Sequence, residues 1–513
     1  MDPDKYYFDD IPDTTFFFYD LETSGLSPKS DRIMQFAGQR TSLDFHPIGD
    51  PINILVKLTD DTLPSPGAIM VTKITPQSTQ LDGLTEAEFC RFVMDELFTP
   101  GTIAVGYNSV RFDDEFMRYT FWRNFYDPYE WQWRDGRSRW DLLDVVRLTR
   151  ALRPEGITWP VSAKGTPTNR LELLTKENGI AHEHAHDALS DVEALISVTK
   201  LISEKQPKLY EYLFKMRDKS AVKSVVNLAS PRPFVYASGR YPSSNMHTTV
   251  AYPLTEGRNG NVLVFDLRYN LEELLEAEKN FEPETRVDND GNEYETAWRW
   301  SPYVKELAFN RCPAVSPLGV LDAESEEDST DPVNPCPKGS TGWQKIGLTK
   351  EQIEKNLEIL KSHPEFIKHL REANAKREER FKGLTEKYAE GALYEGFTGD
   401  ADRAESIKVH EKTKASDFAN CTPNFSDKRL KEIYPRYLAR NFRSALSDSD
   451  LAEWEKYRVE RLKSQEQFFV SELEKLQALA ASGEPMKDGR AVDESILEDL
   501  MLWYQSLASS DYE

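Results

Sequence analysis

Cysteine is scarce in this chain. Its 513 residues include four (Cys90, Cys312, Cys336, Cys421), far apart and with no C-x-x-C pair. That argues against a disulfide framework or a structural zinc site and leaves free, buried thiols. No apolar run is long enough to span a bilayer, and the first residues, "MDPDKYYFDDIPD", are acidic, unlike a signal or transit peptide. A cytoplasmic protein without membrane contact is expected. Positive charge is also in deficit: 64 Lys and Arg stand against 87 Asp and Glu, a net charge of −23. Such a balance argues against indiscriminate nucleic-acid binding but permits a locally basic groove. No fixed-period repeat is present.

What is present fits a soluble globular chain of two or three domains, with 39% hydrophobic and 29% charged residues. Residues 14–204 alternate strand and helix. "TTFFFYD", "RIMQFAGQRT", "INILVKL" and "TIAVGYN" are strand-like. "TEAEFCRFVMDELF" repeats Phe89, Val93 and Leu97 at helical spacing and opens on a Thr85/Glu88 capping box. "DALSDVEALISVTKLISEK" is a second helix, with Asp187 as its N-cap. Residues 207–380 start as a β-rich domain around "RPFVYASG" and "NVLVFDL" and include a Ser/Pro/Gly-rich acidic stretch, "LDAESEEDSTDPVNPCPKGSTG", with its acidic part at 321–331, that reads as a solvated loop. Residues 384–513 read as helical, with Phe469, Leu473 and Leu476 on one face of a long amphipathic segment. The helical character begins at Thr349, which forms a further capping box with Gln352.

Three segments carry chemistry. The run "FFFYDLET" ends on Asp20 and Glu22, two apart, which in a strand places both on one face. Like charges so placed repel unless a cation lies between them; the alternative is an acidic pair at a turn. "GYNSVRFDDEFM" opens a helix on Asp113 and Asp114, and "HAHDALSDV" sets His186 five residues before Asp191. Acids from three distant segments and one histidine match the needs of two-metal phosphodiester hydrolysis: oxygen ligands for hard divalent ions and a base for the attacking water. Asp114 reads as a helix-start residue. Asp141 reads as positioning an arginine or a helix end. The spacing of His182, His184 and His186 suits a strand, so a separate zinc site is not expected.

These motifs, Asp-x-Glu-Thr, Asn-x-x-x-Phe-Asp and His-x-x-x-x-Asp in this order, resemble those of the DEDDh exonucleases. The segments "GYNSVRFDDE", "ALRPEGITWP", "NRLELLTKENGI", "NRCP" and "LYEGFTGDADR" are similar to the bacterial exonuclease I family, so the resemblance covers nearly the whole chain. It implies a ribonuclease-H-like exonuclease domain, an SH3-like β-rich domain and a helical C-terminal domain. It implies 3′→5′ degradation of single-stranded DNA to 5′-mononucleotides, in repair or recombination. It assigns Asp20, Glu22, Asp113 and Asp191 to two Mg²⁺ ions, with Mn²⁺ as an alternative, and His186 as general base. Substrate contacts are implied for Glu22, Arg118, Tyr129, Trp133, Arg147, Pro167, Arg170, Lys219 and Lys305, where cations meet the backbone and aromatics stack on bases. A monomer is expected. A further implied partner is the acidic tail of single-stranded-DNA-binding protein, with Arg153 and Tyr212 as candidate contacts. Two rival readings are an exoribonuclease and an inactive scaffold on 3′ ends; the second needs a missing ligand, and all five catalytic residues are present. The departures are Leu21, where a bulkier aromatic can stand, and the 321–331 stretch, which looks like an insertion.

Overall fold

The computed structural model describes residues 13–182, 187–287, 293–295, 298–381, 386–419 and 421–509. The chain forms two compact units. One comprises Met1–Arg139, His182–Ile196 and Thr385–Glu513; the other comprises Trp140–Ala181 and Ser197–Leu384. Among the described residues, no helix is long and apolar enough to cross a membrane.

The first unit is built on strands β1 (Thr15–Thr23), β2 (Ile33–Thr41), β3 (Pro47–Leu55) and β4 (Thr102–Gly106). The sheet order is β3-β2-β1-β4-β5, and β5 (Ser138–Asp141) is where the chain passes from the first unit to the second. β1 pairs antiparallel with β2 and parallel with β4, and β2 pairs antiparallel with β3. Period-two alternation explains β1. Phe17, Tyr19 and Leu21 point to one face and join a core with Phe36, Phe89, Phe98 and Trp131. Phe16, Phe18, Asp20 and Glu22 take the opposite face. Leu21, 4% exposed, is thus in the core, between two carboxylates that are not.

The local signals act as the sequence predicts. Thr85 and Glu88 form a reciprocal capping box on helix Glu86–Phe92, which continues as a π-turn over Val93–Leu97. Asp187 caps helix Ala188–Lys205 by accepting the Ser190 amide at 3.1 Å. The third strand starts earlier than "INILVKL" suggests, because the exposed half of β3 is set by pairing with β2 rather than by its own hydrophobicity.

The C-terminal segment of this unit is helical, with a 35-residue helix, Asp448–Ser482, capped by Ser447. Phe469, Leu473 and Leu476 pack with Met34, Ile69, Leu500 and Trp503. Beneath this lies a buried ion network. Arg440 binds Asp61 at 2.7 Å and Glu390 at 2.6 Å, Arg461 binds Asp61 at 3.0 Å, and Arg123 binds Glu86 at 2.6 Å. Arg32 lies among all three acids, 3.4 to 3.8 Å away. "YPRYLARNFR" therefore serves packing: Tyr437 is buried and Arg440 belongs to the network.

The second unit holds an antiparallel sheet of order β11-β8-β7-β6-β12, with β6 at Phe234–Ala237, β7 at Thr248–Glu256, β8 at Val262–Asp266, β11 at Val304–Leu307 and β12 at Ala314–Pro317. A small hairpin, β9 (Thr285–Val287) and β10 (Glu293–Glu295), lies between β8 and β11 in sequence. Helix Lys350–Ser362 follows, with Thr349 accepting the Gln352 amide. One expectation is corrected here. The 321–331 stretch is not simply solvated: Leu321, Ser325, Ser329 and Asp331 are buried. Backbone bonds between Ser325 and Ser340 and between Ser329 and Cys336 fold it on itself, and the Asp331 carboxylate faces Arg150. Composition showed its acids but not their partners. Cys90, Cys312 and Cys336 are buried free thiols, and Cys421 is a half-buried one.

Candidate active site

β1 delivers Asp20 and Glu22, and the first turns of helix Ala188–Lys205 deliver Asp191. One carboxylate oxygen from each lies within 4.8 Å of the others. Asp20 and Asp191 are half-buried and Glu22 is buried. Asp113, buried at the start of helix Asp113–Arg123, acts on both β1 acids. Burial raises the Asp20 carboxyl well above its usual range, and the charges of Asp113, Glu22 and Asp191 add to this. Glu22 is pushed up to about 8, first by burial and then by Asp191, Asp113 and Asp187, with Arg490 pulling the other way. Acids held this close repel one another, and a hard divalent cation would relieve that repulsion. His186 lies outside the described residues.

The supporting residues were less visible in sequence. Asp114 is no mere helix-start residue. It is 1% exposed, accepts the Tyr19 hydroxyl at 2.5 Å and pairs with Arg139. Asp113, outside the close trio of Asp20, Glu22 and Asp191, is the one of the two whose charge acts on both β1 acids. His182, the first of the three histidines, places Nε2 2.6 Å from Asp191 Oδ1. The only sequence signal for this was proximity, nine residues apart.

The proposed substrate residues divide between the units. In the first, Arg118 pairs with Glu115 at 2.6 Å, donates to Gln132 Oε1 at 2.8 Å, and lies 5.5 Å from the Tyr129 ring centre. Trp133 is 64% exposed, a large cost for an indole in a folded chain. In the second, Arg147 pairs with Asp144 at 2.6 Å and fills the space beside Gly239, where a Cβ would meet its guanidinium at 2.7 Å. Pro167 is half-buried, and Arg170 precedes helix Leu171–Glu177 with its side chain 74% exposed. Lys219 is exposed at the start of helix Lys219–Val225; Lys305 on β11 donates to Ser301 O at 2.6 Å. Asp141 accepts the Leu143 amide at 3.0 Å at the start of helix Leu143–Leu152, the helix-end role of the two its position suggested.

Three family profiles match in order: exonuclease over residues 17–199, exonuclease I SH3-like domain over 217–331, and exonuclease I C-terminal domain over 387–507. Exodeoxyribonuclease I of Haemophilus influenzae is 37% identical over 470 residues, covering 91% of this chain and 94% of its own. The crystal structure of E. coli exonuclease I with a dA16 oligonucleotide superposes with a TM-score of 0.81 at 33% identity, covering 96% of this chain and 100% of that one. An SSB/exonuclease I structure in complex with the inhibitor CFAM gives a TM-score of 0.79 at 32% identity, covering 96% and 99%. By whole-length identity and by the ordered match of all three parts, the chain belongs to the exonuclease I family and is a DNA exonuclease.

Proposed function

We propose that the chain removes 5′-mononucleotides stepwise from the 3′ end of single-stranded DNA, in repair or recombination. The observation that carries this is the meeting of Asp20, Glu22 and Asp191 within 4.8 Å, with Asp113 raising the proton affinity of both β1 acids. This all-oxygen donor set suits Mg²⁺, with Mn²⁺ as the alternative, and four carboxylates suffice for two ions. Bound there, the metal would lower the pKa of the attacking water and neutralise charge on the leaving oxygen. Asp20, Glu22, Asp113 and Asp191 would hold it. His186, five residues before Asp191 in the sequence, accepts the water proton. The chain divides as residues 14–204 for catalysis, 207–380 for the SH3-like part and 384–513 for the helical part.

Arg118, Arg147, Lys219 and Lys305 meet phosphates, Tyr129 and Trp133 stack on bases, Pro167 lines the strand, and Arg170 meets a phosphate near the 3′ end. Glu22 also contacts the terminal nucleotide. The acidic tail of single-stranded-DNA-binding protein is the proposed protein partner, with Arg153 and Tyr212 as contacts; the SSB/exonuclease I pairing supports this. The chain acts as a monomer in the cytoplasm.

The deciding experiment uses single-stranded DNA labelled at its 5′ end. In Mg²⁺ it shortens stepwise. EDTA, or Asp20→Ala, stops the shortening while the DNA still binds. Equal or faster digestion of a matched RNA would overturn the substrate assignment.

A further inference from the structure

Arg150 stands at the crossing of three segments of the second unit. It lies on helix Leu143–Leu152 and is 1% exposed, so its charge requires a partner. The partner is Asp331, fully buried at the end of the acidic insertion. Nε donates to Oδ2 at 2.7 Å and one terminal nitrogen to Oδ1 at 3.0 Å, a two-pronged pairing that fixes the guanidinium plane. The ring of Trp159 lies over that plane, 5.5 Å from its carbon.

With the plane fixed, the remaining nitrogen has one direction left. It donates to the Thr168 carbonyl at 2.7 Å and reaches Asn169 Oδ1 at 3.5 Å. Thr168 and Asn169 close a small hairpin, Val161 paired with Pro167, whose tip at residues 163–166 is exposed. The next residue is Arg170. The insertion is itself braced: Asp331 Oδ1 accepts the Val333 amide, and the Ser329 hydroxyl accepts the Asp331 amide. Nearby, Lys345 anchors to Leu152 O at 2.8 Å and Glu155 at 2.6 Å.

We infer that Asp331 is a positioning residue for substrate: through Arg150 it holds Thr168 and Asn169, and so the backbone from which Pro167 and Arg170 reach DNA. The inference rests on the reading of Pro167 and Arg170 as substrate contacts. It gives the acidic insertion a task in the reaction. A carboxylate in a loop remote in sequence sets the stiffness of the hairpin that carries the 3′-end contacts.

The test is hydrogen exchange on the full chain, paired with steady-state kinetics. Asp331→Asn keeps the shape and removes the charge. Amides of 162–169 are expected to exchange about tenfold faster while β1 to β4 are unchanged, because only the local opening is affected. KM for single-stranded DNA rises and kcat stays within twofold. Arg170→Ala raises KM alone, and adding Asp331→Asn to it raises KM by a smaller factor than in the unaltered chain, the remainder being the part carried through Pro167. Arg150→Lys keeps the buried charge but loses the fixed fork; it is expected to give the same local exchange and the same KM change without general unfolding. Unchanged protection of 162–169 in both variants overturns the inference. If Arg170→Ala leaves KM unaltered, the assignment of Arg170 to a phosphate fails, and the exchange data alone then decide whether Asp331 orders the hairpin.

Discussion

Tyr19 donates its hydroxyl to Asp114 across 2.5 Å, so the residue before one candidate metal ligand is tied to the residue after another. Burial and the charges of Asp114 and Asp113 keep that phenol protonated, raising it well above its usual range. Tyr19→Phe removes one buried bond, and the expected loss is about 1–2 kcal/mol of stability. Asp114→Ala also removes the buried pairing with Arg139 and is expected to cost more, about 3–5 kcal/mol. Urea unfolding measures both. Turnover falls in each because β1 is no longer fastened to the Asp113 helix. Wild-type turnover in a folded Tyr19→Phe chain would show the bond to be dispensable.

Metal uptake should release protons. Glu22 without metal is pushed up to about 8, so it is largely protonated at neutral pH, and a cation must displace that proton. Apparent affinity for Mg²⁺ or Ca²⁺ therefore climbs as pH rises toward 8, and calorimetry in buffers of different ionisation enthalpy counts the protons. Stability follows the same sign. The folded pKa lies above the unfolded one, so the Glu22 contribution is present below about 4.5 and is lost as pH rises through about 8. The melting temperature of the metal-free chain carries this slope, and Glu22→Gln removes it.

The ion network predicts the opposite slope in acid. Burial alone would raise Glu86, but Arg123 and its hydrogen bonds outweigh that and hold the carboxyl at about 2. Its contribution is present above about 4.5 and disappears as pH falls toward 2. Arg440→Met leaves Asp61 and Glu390 short of a partner and is expected to cost about 3–5 kcal/mol. Acid titration of far-UV circular dichroism reads the first effect and urea unfolding the second.

Trp133→Ala tests stacking. An indole 64% exposed, next in sequence to the Gln132 that Arg118 holds, is a ready platform for a base. Its loss should weaken single-stranded-DNA binding by about 1–3 kcal/mol, read by fluorescence anisotropy in Ca²⁺, with the salt dependence unchanged because no cation is removed. An unaltered affinity would return Trp133 to the status of an idle surface residue.

Much of the catalytic arm was legible because strands obey a period of two. "FFFYDLET" alone placed Tyr19 and Leu21 on one side and the two acids on the other, and Asp187 announced its helix by type and position. The roles within "DD" were not legible, since adjacent acids look alike until Tyr19 and Arg139, distant in sequence, choose between them. The acidic stretch at 321–331 misled for the same reason. Acids predict solvent only while their partners are unknown, and the partner of Asp331 lies 181 residues earlier.

β1 keeps unbroken register with β2 from Phe16 to Glu22, and its irregularity falls only between Glu22 and Thr23. The strand therefore tolerates replacement far better than change of length. Deleting a single residue ahead of Asp20 would swap the two faces, driving both acids into the aromatic core and Tyr19 and Leu21 toward the metal. Any slack in this segment has to be taken up past Glu22, so in a lineage of such enzymes β1 would drift by substitution, with insertions and deletions confined to the loop beyond it.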